Sequence, residues 1–159
     1  MMKTLATILA TAALAVAGVT TADAAVFSPA GISFNLNGTF TLKPPMPYPI
    51  ANCNITLSST TPSPAGSIAP VTAVNITGSN PLCAVIAAGS LPWSLQITSP
   101  TTVKINNMKL QVAGSPCYPS PLAVPGNWSN VTGMSVTNQV VGLCVLTMQI
   151  MPSPWVSVL

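Results

Sequence analysis

Apolar and polar side chains alternate along most of this chain, with the two-residue period of strands that bury one face. Ile32, Phe34, Leu36, Phe40 and Leu42 take even positions, with polar residues between most of them. The Asn37-Gly38 pair inside that run is a hairpin signal. A two-residue turn there would set Leu36 opposite Thr39 and Phe34 opposite Thr41, spoiling the apolar face. One strand over 32–42, bent at Gly38, keeps the parity and is the better reading. Further period-two runs are Ala51-Cys53-Ile55-Leu57, Val74-Ile76, Leu91-Trp93-Leu95-Ile97 and Val103-Ile105. Met108-Leu110-Val112, Met134-Val136 and Cys144-Leu146-Met148-Ile150 follow. Each is short and bounded by Pro, Gly, Ser or Asn.

The 17 prolines are scattered, and no segment keeps a 3.6-residue spacing long enough for an amphipathic helix. The pattern predicts an all-β fold, an antiparallel sandwich or barrel of about ten short strands. Segment 44–49, Pro-Pro-Met-Pro-Tyr-Pro, reads as extended polyproline-like backbone, and 60–66 as a flexible turn. A transmembrane barrel would need uninterrupted alternation and girdles of aromatic residues. The runs here are shorter and Pro-interrupted, and the chain holds only three Trp, two Tyr and three Phe.

Residues 1–24 carry the marks of an export signal: a Met-Met-Lys start, an apolar run over 5–19, and Ala22-Asp23-Ala24 as a cleavage site before Ala25. That leaves 25–159 as one all-β domain in an extracellular, outer-surface or periplasmic setting, with no transmembrane segment after cleavage. Cys53, Cys83, Cys117 and Cys144 then sit in an oxidising compartment, where an even count predicts two disulfides. Successive gaps of 30, 34 and 27 residues contain no close pair of the zinc-knuckle kind. Three connectivities are open to four cysteines. A weak repeat chooses among them. Cys53 and Cys117 are 64 residues apart, Cys83 and Cys144 are 61, and Trp93 and Trp155 are 62. Half-repeats near 43–98 and 104–159 would each close their own bridge, Cys53–Cys83 and Cys117–Cys144. The repeat also places Trp93 and Trp155 in the core, leaving Trp128, among turn residues, and Tyr48 as candidates for surface contact.

Charge narrows function more sharply than pattern does. Beyond residue 24 the only charged side chains are Lys43, Lys104 and Lys109, and there is no His, Arg, Asp or Glu. Triads, carboxylate pairs and His-based metal sites lack their essential residues, and no cofactor is implied. An Arg-rich surface for nucleic acid is missing too, so that partner is excluded. Lys104 and Lys109 read as strand-edge lysines that discourage pairing. Asn37, Asn54, Asn75, Asn127 and Asn130 each begin an Asn-x-Ser/Thr triplet, as chance allows in so polar a chain. A polar, uncharged surface offers little repulsion between copies. Self-association and adhesion to apolar material are therefore physically easy, and 32–42 is a candidate segment for strand exchange between copies.

Four segments carry a family likeness: Ala51-Asn52-Cys53-Asn54-Ile55-Thr56-Leu57, Gly89-Ser90-Leu91-Pro92-Trp93-Ser94-Leu95, Pro125-Gly126-Asn127-Trp128 and Met151-Pro152-Ser153-Pro154. With the export signal, they resemble the bacterial alkane-oxidation protein activators of the PraB type, over nearly the whole chain. The resemblance implies a secreted, non-enzymatic accessory in growth on long-chain alkanes, touching hydrocarbon or the cell surface. It supplies no catalytic residues. A subunit of an extracellular fibre or biofilm matrix, built by β-strand addition, is the alternative that the uncharged surface suggests.

Overall fold

A computed structural model describes residues 24–118 and 120–159, so the expected export signal lies outside the described residues except for Ala24. The strands are β1 (Phe27–Ser28), β2 (Ser33–Lys43), β3 (Ala51–Thr60), β4 (Ile68–Thr77), β5 (Ile86–Gly89) and β6 (Trp93–Ser99). They continue with β7 (Thr102–Val112), β8 (Ser115–Pro116), β9 (Leu122–Ser129), β10 (Gly133–Val141), β11 (Cys144–Ser153) and β12 (Ser157–Val158). One 3-10 turn, Pro81–Val85, precedes β5.

Eight strands form a closed antiparallel meander. β2, β3, β4, β6, β7, β9, β10 and β11 each pair with the next, and β11 returns to β2. The all-β, disulfide-linked architecture read from the sequence is present, as a barrel. Eight strands leave an interior just wide enough for side chains to fill. Phe34, Leu36, Phe40, Leu42, Leu57, Trp93, Leu95, Ile105, Leu146 and Ile150 fill it, all almost fully buried. The outward positions of β2 and β3 are Asn, Ser and Thr, with Lys43 at the end of β2. Cross-strand bonds link them, Thr41 to Asn52 at 2.9 Å and Thr56 to Asn37 at 3.0 Å. Apolar inside and polar outside is the reverse of a membrane-spanning barrel.

β2 runs unbroken through Asn37-Gly38, paired with β3 over ten positions and with β11 over nine. Gly38 is required by proximity: a Cβ there would strike the Gln149 carbonyl and lie 2.8 Å from Ile150 Cα. Four strands shift register at a bulge, β6 among them between Ile97 and Ser99. In β7, Val103 and Ile105 face inward, and so do Met108, Leu110 and Val112. Asn106-Asn107, with Asn107 at φ 58°, absorbs the extra residue, so two expected strands are one. β4 shifts between Val71 and Ala73, and β10 between Val136 and Gln139.

Two loop expectations are corrected. Segment 44–49 is a folded turn rather than an extended stretch, with the Tyr48 amide bonded to the Pro45 carbonyl. Segment 60–66 is pinned rather than free. Thr61 is buried, its hydroxyl donates to the Pro29 carbonyl, and the Phe27 amide bonds to the Gly66 carbonyl.

Candidate functional site

The loops at one end of the barrel converge on the two disulfides. Cys53 in β3 joins Cys83 in the 3-10 turn, and Cys117 joins Cys144 at the start of β11. Asn80 caps the 3-10 turn by accepting from the Leu82 amide, and its side-chain amide donates to the Ile50 carbonyl at 3.2 Å. This ties the 44–50 loop to the first bridge. The Leu143 amide donates to the Cys117 carbonyl at 2.8 Å, tying the β10–β11 turn to the second. Gly142, at φ 65°, has no room for a Cβ, which would lie 2.6 Å from both the Cys117 oxygen and Tyr118 Cβ. The Ala113 amide closes the ring of loops on the Val85 carbonyl.

These braced loops hold apolar side chains out to solvent. Met46 is 95% exposed and Leu143 72%, with Val140, Ile50 and Val85 also exposed. Lys43, at the end of β2, is the one charged side chain close to them in the chain. The other end, which has no disulfide, also exposes apolar side chains, Val131, Trp155 and Leu159 among them. Tyr48 is half-buried, against Pro44, Val112, Pro116, Cys117 and Cys144, around a recess of ≈ 20 Å³. That is far below ligand size. Tyr118 is also buried, and among the described residues its hydroxyl meets no hydrogen-bond partner; burial pushes its phenol up to about 12. At neutral pH it does no proton transfer.

Several expected positions move. Trp128 is not a surface residue: it is 3% exposed, faces inward from β9 and meets the Phe27 ring edge-on at 6.2 Å. Its indole N–H donates to Asn130 Oδ1 at 2.8 Å. Trp155, expected in the core as the counterpart of Trp93, is 44% exposed, while Trp93 is buried. The offset near 62 residues therefore does not carry the same side-chain role in both halves. Lys104 and Lys109 are on no edge: they lie in β7, where Lys104 pairs with Gln96 and Pro125, and Lys109 with Gly89. Within 32–42, Ile32 precedes the strand, while Phe34, Leu36, Phe40 and Leu42 are buried between two bonded neighbours. That segment offers no open edge. The apolar ring of the disulfide end was missed because Met46, Ile50, Val85 and Leu143 show no periodicity.

The family model described as alkane oxidation protein activator PraA/PraB-like matches residues 2–159. The chain belongs to that family. No curated protein and no solved structure gives a significant match. The family name points to a role in activating alkane oxidation. Among the described residues, no helix is long and apolar enough to cross a membrane.

Proposed function

We propose that this protein is an exported, non-enzymatic accessory of alkane utilisation that touches hydrocarbon with its disulfide-braced end. The observation that carries the reading is that Met46, Ile50, Val85, Val140 and Leu143 are all exposed at the end of the barrel that holds both disulfides. Burying one such side chain in an apolar phase gains about 1.5–3 kcal/mol, so several acting together anchor the barrel. The Asn, Ser and Thr wall stays in water and keeps the particle at the boundary. Proton transfer plays no part, since beyond residue 24 the only ionisable side chains besides the bridged cysteines are three Lys and two Tyr. Residues 1–24 supply the route out of the cell.

Purified protein shaken with dispersed hexadecane should partition to the droplets. Met46→Lys together with Leu143→Lys should lower the bound fraction at least about fivefold, while Asn54→Lys on the polar wall leaves it unchanged. No binding by the unaltered protein, or equal loss from Asn54→Lys, would overturn the assignment. At the level of the cell, deletion should slow growth on hexadecane and not on a soluble carbon source.

A further inference from the structure

The barrel wall parts beside β9. β9 and β10 are bonded only between Asn127–Ser129 and Gly133–Ser135, and past Ser135 the strand β10 is bulged, with Asn138 at φ 47°. On its other flank β9 stays paired with β7, Thr102 opposite Asn127 and Lys104 opposite Pro125. The Pro125 ring and Gly126 are too small to fill the space between these neighbours, so β9 is the floor of a cleft of ≈ 350 Å³. One wall is Thr98, Thr102 and Lys104, and the other is Ser135, Thr137 and Gln139. A cleft of that size falls within the range of small-molecule sites.

Lys104 is half-buried in that wall. Among the described residues there is no acidic side chain, so none is present to neutralise it. The other two lysines are placed differently. Lys43 is exposed at the end of β2, and the Lys109 stem runs over Gly89, where a Cβ would lie 3.4 Å from Lys109 Cδ. A partly desolvated cation with no internal partner is complemented by an anion from outside. The rest of the lining selects among anions. Thr102, Asn127 and Ser135 stand in one row across β7, β9 and β10, and Thr98 joins it through a 2.8 Å hydroxyl pair with Thr102. That row offers donors and acceptors without charge, two strand positions, about 7 Å, from the row of Lys104.

We propose that this cleft binds a hydroxylated carboxylate of the sugar-acid class, free or as one unit of a polymer. Lys104 holds the carboxylate, and the hydroxyl and amide row holds the sugar hydroxyls. One ammonium balances one carboxylate, whereas a phosphate dianion would keep an unpaired charge. The separation of the two rows matches the reach from the carboxylate of a pyranose acid to its far hydroxyls. The open, wet setting keeps affinity for a single unit in the millimolar range.

Titration of the intact protein with glucuronate at low ionic strength, followed by amide shifts in NMR, tests it. The shifts should gather on β7, β9 and β10 around Lys104 and weaken with added salt. Lys104→Gln should lower affinity at least about fivefold and Lys104→Arg retain it, while Lys109→Gln, outside the cleft, leaves it unchanged. Glucose lacks the charge and acetate lacks the hydroxyls, so each should bind at least about fivefold more weakly than glucuronate. Cosedimentation with polygalacturonate separates the sources: binding there makes the ligand a polymer unit, and binding of the monomer alone makes it the free acid. No shifts at millimolar glucuronate, glucose, acetate or inorganic phosphate binding as well as glucuronate, or equal loss from Lys109→Gln would overturn the proposal. None of these readouts involves hydrocarbon, so failure here leaves the droplet assay unaffected.

Discussion

Replacing Asn130 with Ala should destabilise the protein by about 3 kcal/mol, a large share of a typical domain's stability. Asn130 lies between β9 and β10 and makes three hydrogen bonds. Its Oδ1 accepts from the Trp128 indole and from the Val158 amide, both at 2.8 Å, and its Nδ2 donates to the Val158 carbonyl at 2.9 Å. Alanine strands the buried indole N–H, at about 1–2 kcal/mol, and removes two partly solvated bonds to β12 at about 0.5–1 kcal/mol each. For a barrel of this size, about 1 kcal/mol corresponds to roughly 3–4 °C, so the Tm should fall by about 10 °C. Asn130→Asp keeps an acceptor for the indole and the Val158 amide but turns a second carboxylate oxygen on the Val158 carbonyl in place of the donor, so it should cost about 1–3 kcal/mol. Thermal unfolding followed by circular dichroism gives the loss, and hydrogen exchange at the Val158 amide locates it. A change below about 0.5 kcal/mol for Ala would refute the reasoning.

Further outcomes follow from the disulfide end and from the composition. Replacing Cys117 and Cys144 by Ser opens a loop of 27 residues, which on the chain-entropy relation should lower stability by about 3.5 kcal/mol in denaturant titration. Stability should be nearly flat through the neutral range, since beyond residue 24 no carboxylate side chain or His titrates. Tyr118 has a folded pKa near 12 against an ordinary 10.0, so its contribution is intact below pH 10 and is lost as pH rises through 12. The slope should be at most about 1.4 kcal/mol per pH unit, measured by unfolding at pH 9 to 12. Tyr118→Phe should remove the Tyr118 part of that slope with little loss at pH 7, because among the described residues the hydroxyl has no partner to lose.

The parts of the fold that were legible are those where parity holds over a whole strand. β2, β3 and the main run of β11 alternate without interruption, and parity alone rejected the hairpin at Asn37-Gly38. The parts that were not legible fail for physical reasons. β7 changes face at Asn106-Asn107, and a bulge is invisible to a period-two template. β9 carries Pro125, Gly126 and Asn127, which read as turn residues. Yet Pro125 is exposed, while Gly126 lets β10 close in, since its Cβ would lie 2.8 Å from the Ser135 oxygen. Losing β9 as a strand is what misplaced Trp128. The apolar ring at the disulfide end depends on loops that meet only after folding. The cysteine pairing emerged correctly although the repeat behind it does not preserve the role of its tryptophans.

Where the bridges sit explains why this barrel needs them. Its far end is closed by hydrogen bonds: β1 pairs with β12, and Asn130 ties β12 to the β9–β10 turn. At the near end the wall fails to zip twice, between β4 and β5 and between β9 and β10. Cys53 lies near the start of β3, the strand paired with β4, and Cys83 lies in the 3-10 turn that precedes β5, so the first bridge spans the first gap. Cys117 precedes β9 and Cys144 opens β11, so the second bridge spans the other. Each covalent link stands where the ladder is missing. Met46, Ile50, Val85 and Leu143 face outward at this end as Val131, Trp155 and Leu159 do at the other, so what the bridges supply is closure where no continuous ladder exists.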